Sequence, residues 1–134
     1  MSRNPIVCLD FDGVCHLYSS GWKGIDVIPD PPVTGLFPWL LEVSKHFEIH
    51  IFSSRSEKPE GIRAMQKWFQ KHGNEYFKTS NTGISNISSD WMAYVEFPAD
   101  EDDILILHFP TNKPPAHYTL DDRAECFTGI FPSV

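Results

Sequence analysis

Apolar residues in this chain fall into short unbroken runs separated by amphipathic stretches, and that alternation predicts the order of its elements. Ile6 to Leu9 is apolar at every position, the pattern of a strand buried on both faces of a parallel sheet. Residues 15 to 32, rich in Gly and Pro, read as loop or hairpin. Val33, Leu36, Phe37, Leu40, Leu41 and Phe47 then recur at helical spacing, with Glu42 and Lys45 on the opposite side. Pro38 lies inside that pattern and marks a kink or a late start. Glu48 to Phe52 forms a second strand. Ile62, Met65, Phe69 and His72 form the stripe of a second helix, which Gly73 is expected to close. Residues 79 to 89 are polar and nearly uncharged, as in a surface loop or short edge strands. The acidic run 100 to 103 reads as a solvated turn. Ile104 to Leu107 and Tyr118 to Leu120 are further strands, and Cys126 to Phe131 is a candidate last one. Strands alternating with helices predict an α/β fold around a mainly parallel sheet.

The length of 134 residues suits one domain spanning 1–134, with no repeat or linker. A hydrophobic content of 41% and an aromatic content of 13% belong to a folded chain. No apolar run reaches the length of a membrane span, and the N-terminal stretch does not read as a signal peptide. Cys8, Cys15 and Cys126 are odd in number and lack CxxC spacing, which predicts free thiols, a cytoplasmic location and no zinc site. The six histidines show no HxxxH spacing on one helix, so a histidine metal site is not expected. A net charge of −7 argues against an extended nucleic-acid surface but leaves room for a small anionic ligand.

The candidate chemistry lies at the predicted strand ends, where open parallel sheets bind their ligands. The first strand runs into Asp10 and Asp12, the second into Ser53, and a later one into Asp121 and Asp122. Lys113 stands on the loop between two strands. Four carboxylates brought together repel one another, and a divalent cation removes the conflict. An all-oxygen ligand set suits Mg²⁺.

Together these segments resemble the haloacid dehalogenase superfamily. Its DxDG[TV] motif matches Asp10-Phe11-Asp12-Gly13-Val14, and its strand ending in Ser or Thr matches Ile49 to Ser53. Its lysine matches Lys113, and its strand ending in paired acids matches Tyr118 to Asp122. The four motifs stand in the family's order over nearly the whole chain. The SSR and KPPA…DDRA segments are also similar to those of small hydrolases of this type from bacterial and phage genomes.

The resemblance implies a Rossmann-like, three-layer α/β/α domain with a hairpin flap at about 15–32 and no large cap domain. It implies a Mg²⁺-dependent phosphatase with Asp10 as nucleophile and Asp12 as general acid and base. Gly13 would allow the tight turn behind them. Ser53, with Ser54 as a weaker candidate, would bind the phosphoryl group, and Lys113 would neutralise its charge. Mg²⁺ would be held by Asp10, the Asp12 carbonyl, and one or both of Asp121 and Asp122. The partner is a phosphorylated substrate, either large or enclosed by oligomerisation over the open site.

Several residues also have plainer readings. Ser54-Arg55-Ser56-Glu57 fits an S-x-x-E capping box. Arg55 is read either as a substrate contact or as a surface residue, Arg123 as a structural ion pair, and Trp22 as a flap residue within reach of substrate. Rival functions are a non-catalytic module holding a phosphorylated partner, and a phosphotransferase. Dehalogenase chemistry does not need an acid at position 12, so Asp12 argues against it.

Overall fold

A computed structural model describes residues 4–79, 83–85, 93–98, 103–116 and 118–120. The elements run β1 (Ile6–Leu9), α1 (Leu36–Ser44), β2 (Glu48–Ile51), a 3₁₀ turn (Ser54–Glu57), α2 (Pro59–Phe77), β3 (Gly83–Ser85), β4 (Ala93–Pro98), β5 (Ile104–Phe109) and β6 (Tyr118–Leu120). They form a mixed α/β fold around a six-stranded sheet of order β3-β4-β5-β2-β1-β6. β5, β2, β1 and β6 run parallel, and β4 and β3 continue the sheet antiparallel.

Both helices lie on one face of this sheet. Val7, Leu9, Ile49, Ile51, Leu105, Leu107 and Phe109 meet Leu36, Leu40 and Val43 of α1 and Ile62, Met65 and Phe69 of α2 in a single buried core. Phe37 of α1 packs edge-on against both Phe69 of α2 and Phe97 of β4, which locks the layers together. Among the described residues no helix lies on the opposite face, so the third layer of the expected sandwich is not among them.

Pro38 occupies the third position of α1, behind Gly35 as N-cap. A first-turn amide has no intrahelical acceptor, so the proline starts the helix without kinking it. α2 does not close at Gly73 as expected but runs to Phe77 and ends at Lys78, whose φ is 53°. The glycine serves packing instead. A Cβ at position 73 would lie 2.0 Å from Phe97 Cε1, so Gly73 lets β4 approach the helix.

β4, in a region without an expected strand, alternates buried Ala93, Val95 and Phe97 with less buried Tyr94 and Glu96. The candidate strand at 126 to 131 and the acidic turn at 100 to 102 lie outside the described residues. No helix among the described residues is long and apolar enough to cross a membrane.

Candidate active site

The parallel strands end in register. Leu9 pairs with Ile51 on one side and with Leu120 on the other. The Phe52 N–H donates to Leu9 O, and the Asp10 N–H donates to Leu120 O, each at 3.0 Å. The end of β1 at Asp10, the residues leading to Ser53 and the last residue of β6, Leu120, therefore stand at one rim of the sheet. β1 is also where the strand order changes direction, with β2 on one side and β6 on the other. In open α/β sheets that is where ligand crevices form. Asp121 and Asp122, together with Arg123, lie outside the described residues.

Past Leu9 the backbone turns sharply. Gly13 adopts φ 83°, and Phe11 O accepts from the N–H groups of Cys15 at 2.9 Å and His16 at 3.2 Å. The Phe11 ring goes into the core against Trp68 and Phe69, while Asp10 and Asp12 stay at the partly buried rim. Asp10 Oδ1 accepts from the Phe11 N–H at 2.8 Å. The Cys15 thiol is fully buried and reaches Asp10 O at 3.3 Å. Burial, followed by the charges of Asp10 and Asp12, pushes that thiol well above its usual range. Cys15 in the native protein is therefore expected to resist iodoacetamide at pH 8 and to react fully in urea. Peptide mapping reads the difference, and labelling of native protein would contradict the assignment.

Asp12 is held by two buried side chains. His16 Nε2 lies 2.5 Å from its Oδ1, and the Tyr18 N–H donates to His16 Nδ1 at 3.2 Å. An imidazole nitrogen that accepts cannot carry the hydrogen, so His16 donates through Nε2 to Asp12. Arg55 Nε donates to the same oxygen at 3.1 Å and to Oδ2 at 3.3 Å. Both His16 and Arg55 are completely buried.

Arg55 is therefore not a surface residue. Its Nη1 donates to Gly24 O and Ile25 O, each at 2.8 Å, and its guanidinium stacks on Trp22 at 4.6 Å. It reaches this place because the turn behind β2 is capped one residue earlier than expected. Ser53 Oγ accepts from the Arg55 N–H at 3.1 Å, and Ser56 Oγ accepts from the Ser53 N–H at 3.1 Å. Ser53 and Ser56 thus form the capping box expected of Ser54 and Glu57. Ser53 is buried, with its hydroxyl 3.7 Å from Met65 Sδ, a weak acceptor. Its hydrogen can be redirected to a stronger one. Ser54 is exposed on the same turn.

The flap at 15–32 is closed at its base by antiparallel pairing of His16 with Pro32. Inside it, Asp30 accepts from Ser20 N–H at 2.8 Å, Ser20 Oγ at 2.6 Å and Ser19 Oγ at 3.1 Å. The Ser20 hydrogen bonds come first in holding its carboxyl below the ordinary range. A groove of about 580 Å³ separates the flap from α2, lined by Asp26, Ile28, Arg63, Lys67 and Trp68 among others. None of Asp10, Asp12 and Ser53 lines it, so the strand rim and the groove are separate features.

Lys113 is exposed on the connection from β5 to β6, and no ion pair among the described residues includes it. No three His, Cys, Asp or Glu residues form a metal-binding cluster among the described residues. The structure brings Asp10, Asp12 and Ser53 together at one rim. To these it adds Arg55, read from sequence only as a contact or a surface residue, and His16, which sequence reasoning missed. The available signals were the four-residue spacing of Asp12 and His16 across a turn, and a lone cation just after a strand end. Comparison with family models, with curated proteins and with solved structures found no match for this chain.

Proposed function

We propose that the chain is a Mg²⁺-dependent phosphomonoester hydrolase with a Rossmann-like domain of the haloacid dehalogenase type, working through an aspartyl-phosphate. The observation that carries this reading is the placement of Asp10 and Asp12 where the strand order reverses, with Arg55 from the end of β2 bonded to Asp12. Asp10 attacks phosphorus. One carboxylate oxygen bonds to it as the bond to the leaving oxygen breaks. Asp12 gives that oxygen a proton, then takes one from the water that hydrolyses the intermediate and frees Asp10. Its Oδ2 is the oxygen suited to this work, because Oδ1 already accepts from both His16 and Arg55.

The donor chemistry fits Mg²⁺. The rim offers carboxylate and carbonyl oxygens, and the resemblance implies the Asp12 carbonyl as the ligand beside the Asp10 carboxylate. Asp121 or Asp122, next in sequence after Leu120, would complete the set. The bound ion would offset charge on the phosphoryl oxygens. Ser53 and Lys113 act on the same group, Ser53 by redirecting its hydroxyl from Met65 and Lys113 by closing from its exposed loop. Ser54, exposed beside Ser53, is the weaker candidate.

A second reading draws on the doubly held Asp12 carboxylate: a module that binds a phosphorylated partner without turnover. Hydrolysis of p-nitrophenyl phosphate decides between them. Release of p-nitrophenol with Mg²⁺, lost in EDTA and restored by added Mg²⁺, is expected of the hydrolase. No release across a panel of phosphomonoesters would favour the module. Release that persists in EDTA would remove Mg²⁺ from the mechanism.

A further inference from the structure

One buried donor in this site has no acceptor among the described residues. Arg55 is fully buried, its Nε and Nη1 are engaged, and its Nη2 has no hydrogen-bond partner among the described residues. Burying an unsatisfied charged donor is unfavourable, so such an atom calls for a physical reason. On a planar guanidinium, Nη2 shares its edge with the Nε–H, and here that edge faces Asp12. The N–H of Nη2 on that edge therefore runs beside the bond to Asp12. The side chain cannot swing away to satisfy itself. Asp12 and the carbonyls of Gly24 and Ile25 fix its plane, and Trp22 covers one face at 4.6 Å.

The geometry points to Arg55 as a substrate ligand whose Nη2 takes one oxygen of the phosphoryl group beside Asp12. This deepens the phosphatase reading and rests on it. Arg55 then does two things with one rigid plane: Nε orients Asp12, and Nη2 meets the oxyanion on which Asp12 acts. The second contact favours a tetrahedral oxyanion over a neutral ligand, because charge-assisted hydrogen bonds are the stronger class. It also links the flap to occupancy, since Gly24 and Ile25 hold the same guanidinium.

The test uses inorganic phosphate as the probe, with the full chain in Mg²⁺. The wild-type protein carries ¹⁵N-labelled arginine, and the Arg55 guanidinium signals are assigned from their loss in Arg55→Lys. Phosphate is expected to shift the Arg55 signals with the same saturation constant that calorimetry gives. Arg55→Lys, which keeps a cation for Asp12 but has no Nη2, is expected to bind phosphate about tenfold more weakly. Wild-type affinity in Arg55→Lys, or phosphate binding that leaves the guanidinium signals unmoved, would overturn the inference. Absence of phosphate binding to the wild type would do the same. If the lysine variant fails to fold, the wild-type titration decides alone, with the signals assigned from Arg55→Gln. The phosphatase reading is judged separately, by turnover: a protein that hydrolyses esters yet leaves Arg55 undisturbed keeps that reading and loses this one.

Discussion

Asp10→Asn is expected to lower kcat for p-nitrophenyl phosphate on the order of 10³-fold or more, the scale on which loss of a nucleophile registers. The substitution keeps the shape of the side chain and removes its charge. Asp10 Oδ1 accepts the Phe11 N–H at 2.8 Å, a bond that an amide oxygen also makes. The turn behind β1 should therefore survive, and circular dichroism and the melting temperature should stay close to wild type. What disappears is the anionic oxygen that, in the proposed mechanism, forms the bond to phosphorus. Acid quenching during turnover should trap a hydroxylamine-sensitive phosphoprotein in the wild type and none in the variant. A variant within tenfold of wild type would rule Asp10 out as nucleophile. Asp12→Asn is a less clean probe, because it also weakens the ion pair with a completely buried Arg55.

Much of the sheet was legible because β1 and the first four residues of β5 are unbroken apolar runs and β2 sets Ile49 and Ile51 two apart. β1 and β6 match their expected bounds, and β2 and β5 differ only at their ends. β4 escaped notice for the opposite reason. Its alternation places Tyr94 and Glu96 on the less covered face, so no apolar run announces it. Gly73 misled because a glycine after a helical stripe usually signals a cap. Here it is a contact point, and only the position of Phe97 reveals that.

The strand-end carboxylates were legible as well, since an apolar run that breaks into Asp-x-Asp-Gly marks the end of a parallel strand, where both side chains stay at the partly buried rim. The partners of Asp12 were not. Arg55 is 43 residues away in sequence, and a lone arginine in a polar stretch reads as solvated unless the capping of its turn is known. Ser53 and Ser56 fix that turn, yet Ser54 and Glu57 offered an equally good box. A shift of one residue in the cap decides whether position 55 faces water or Asp12. His16 was hidden similarly: its ring reaches Asp12 only because Phe11 O gathers three following amides and folds the chain back.

Gly61→Ala should expose how much this arrangement depends on close packing behind Arg55. In an exposed helix the change would stabilise by about 1 kcal/mol through propensity. At this position a Cβ would fall 2.0 Å from the carbonyl oxygen of Arg55 and 2.9 Å from Ile25 Cγ1. The obstacle is backbone, so no rotamer change relieves it. α2 must move away from the 3₁₀ turn, or the turn must move with Arg55. Overpacking of this kind costs about 1–3 kcal/mol, occasionally more, and it should outweigh the propensity gain. Urea denaturation is expected to give a lower midpoint with little change in slope. Turnover should fall too, because the displaced carbonyl belongs to the residue that holds Asp12, Gly24 and Ile25. Gly73→Ala is the control. Its Cβ would meet the buried Phe97 ring, away from Arg55, so stability should drop while kcat per folded molecule holds. Equal loss of kcat in both variants, or a Gly61→Ala protein more stable than wild type, would break the proposed link between the seat of the 3₁₀ turn and the geometry at Asp12.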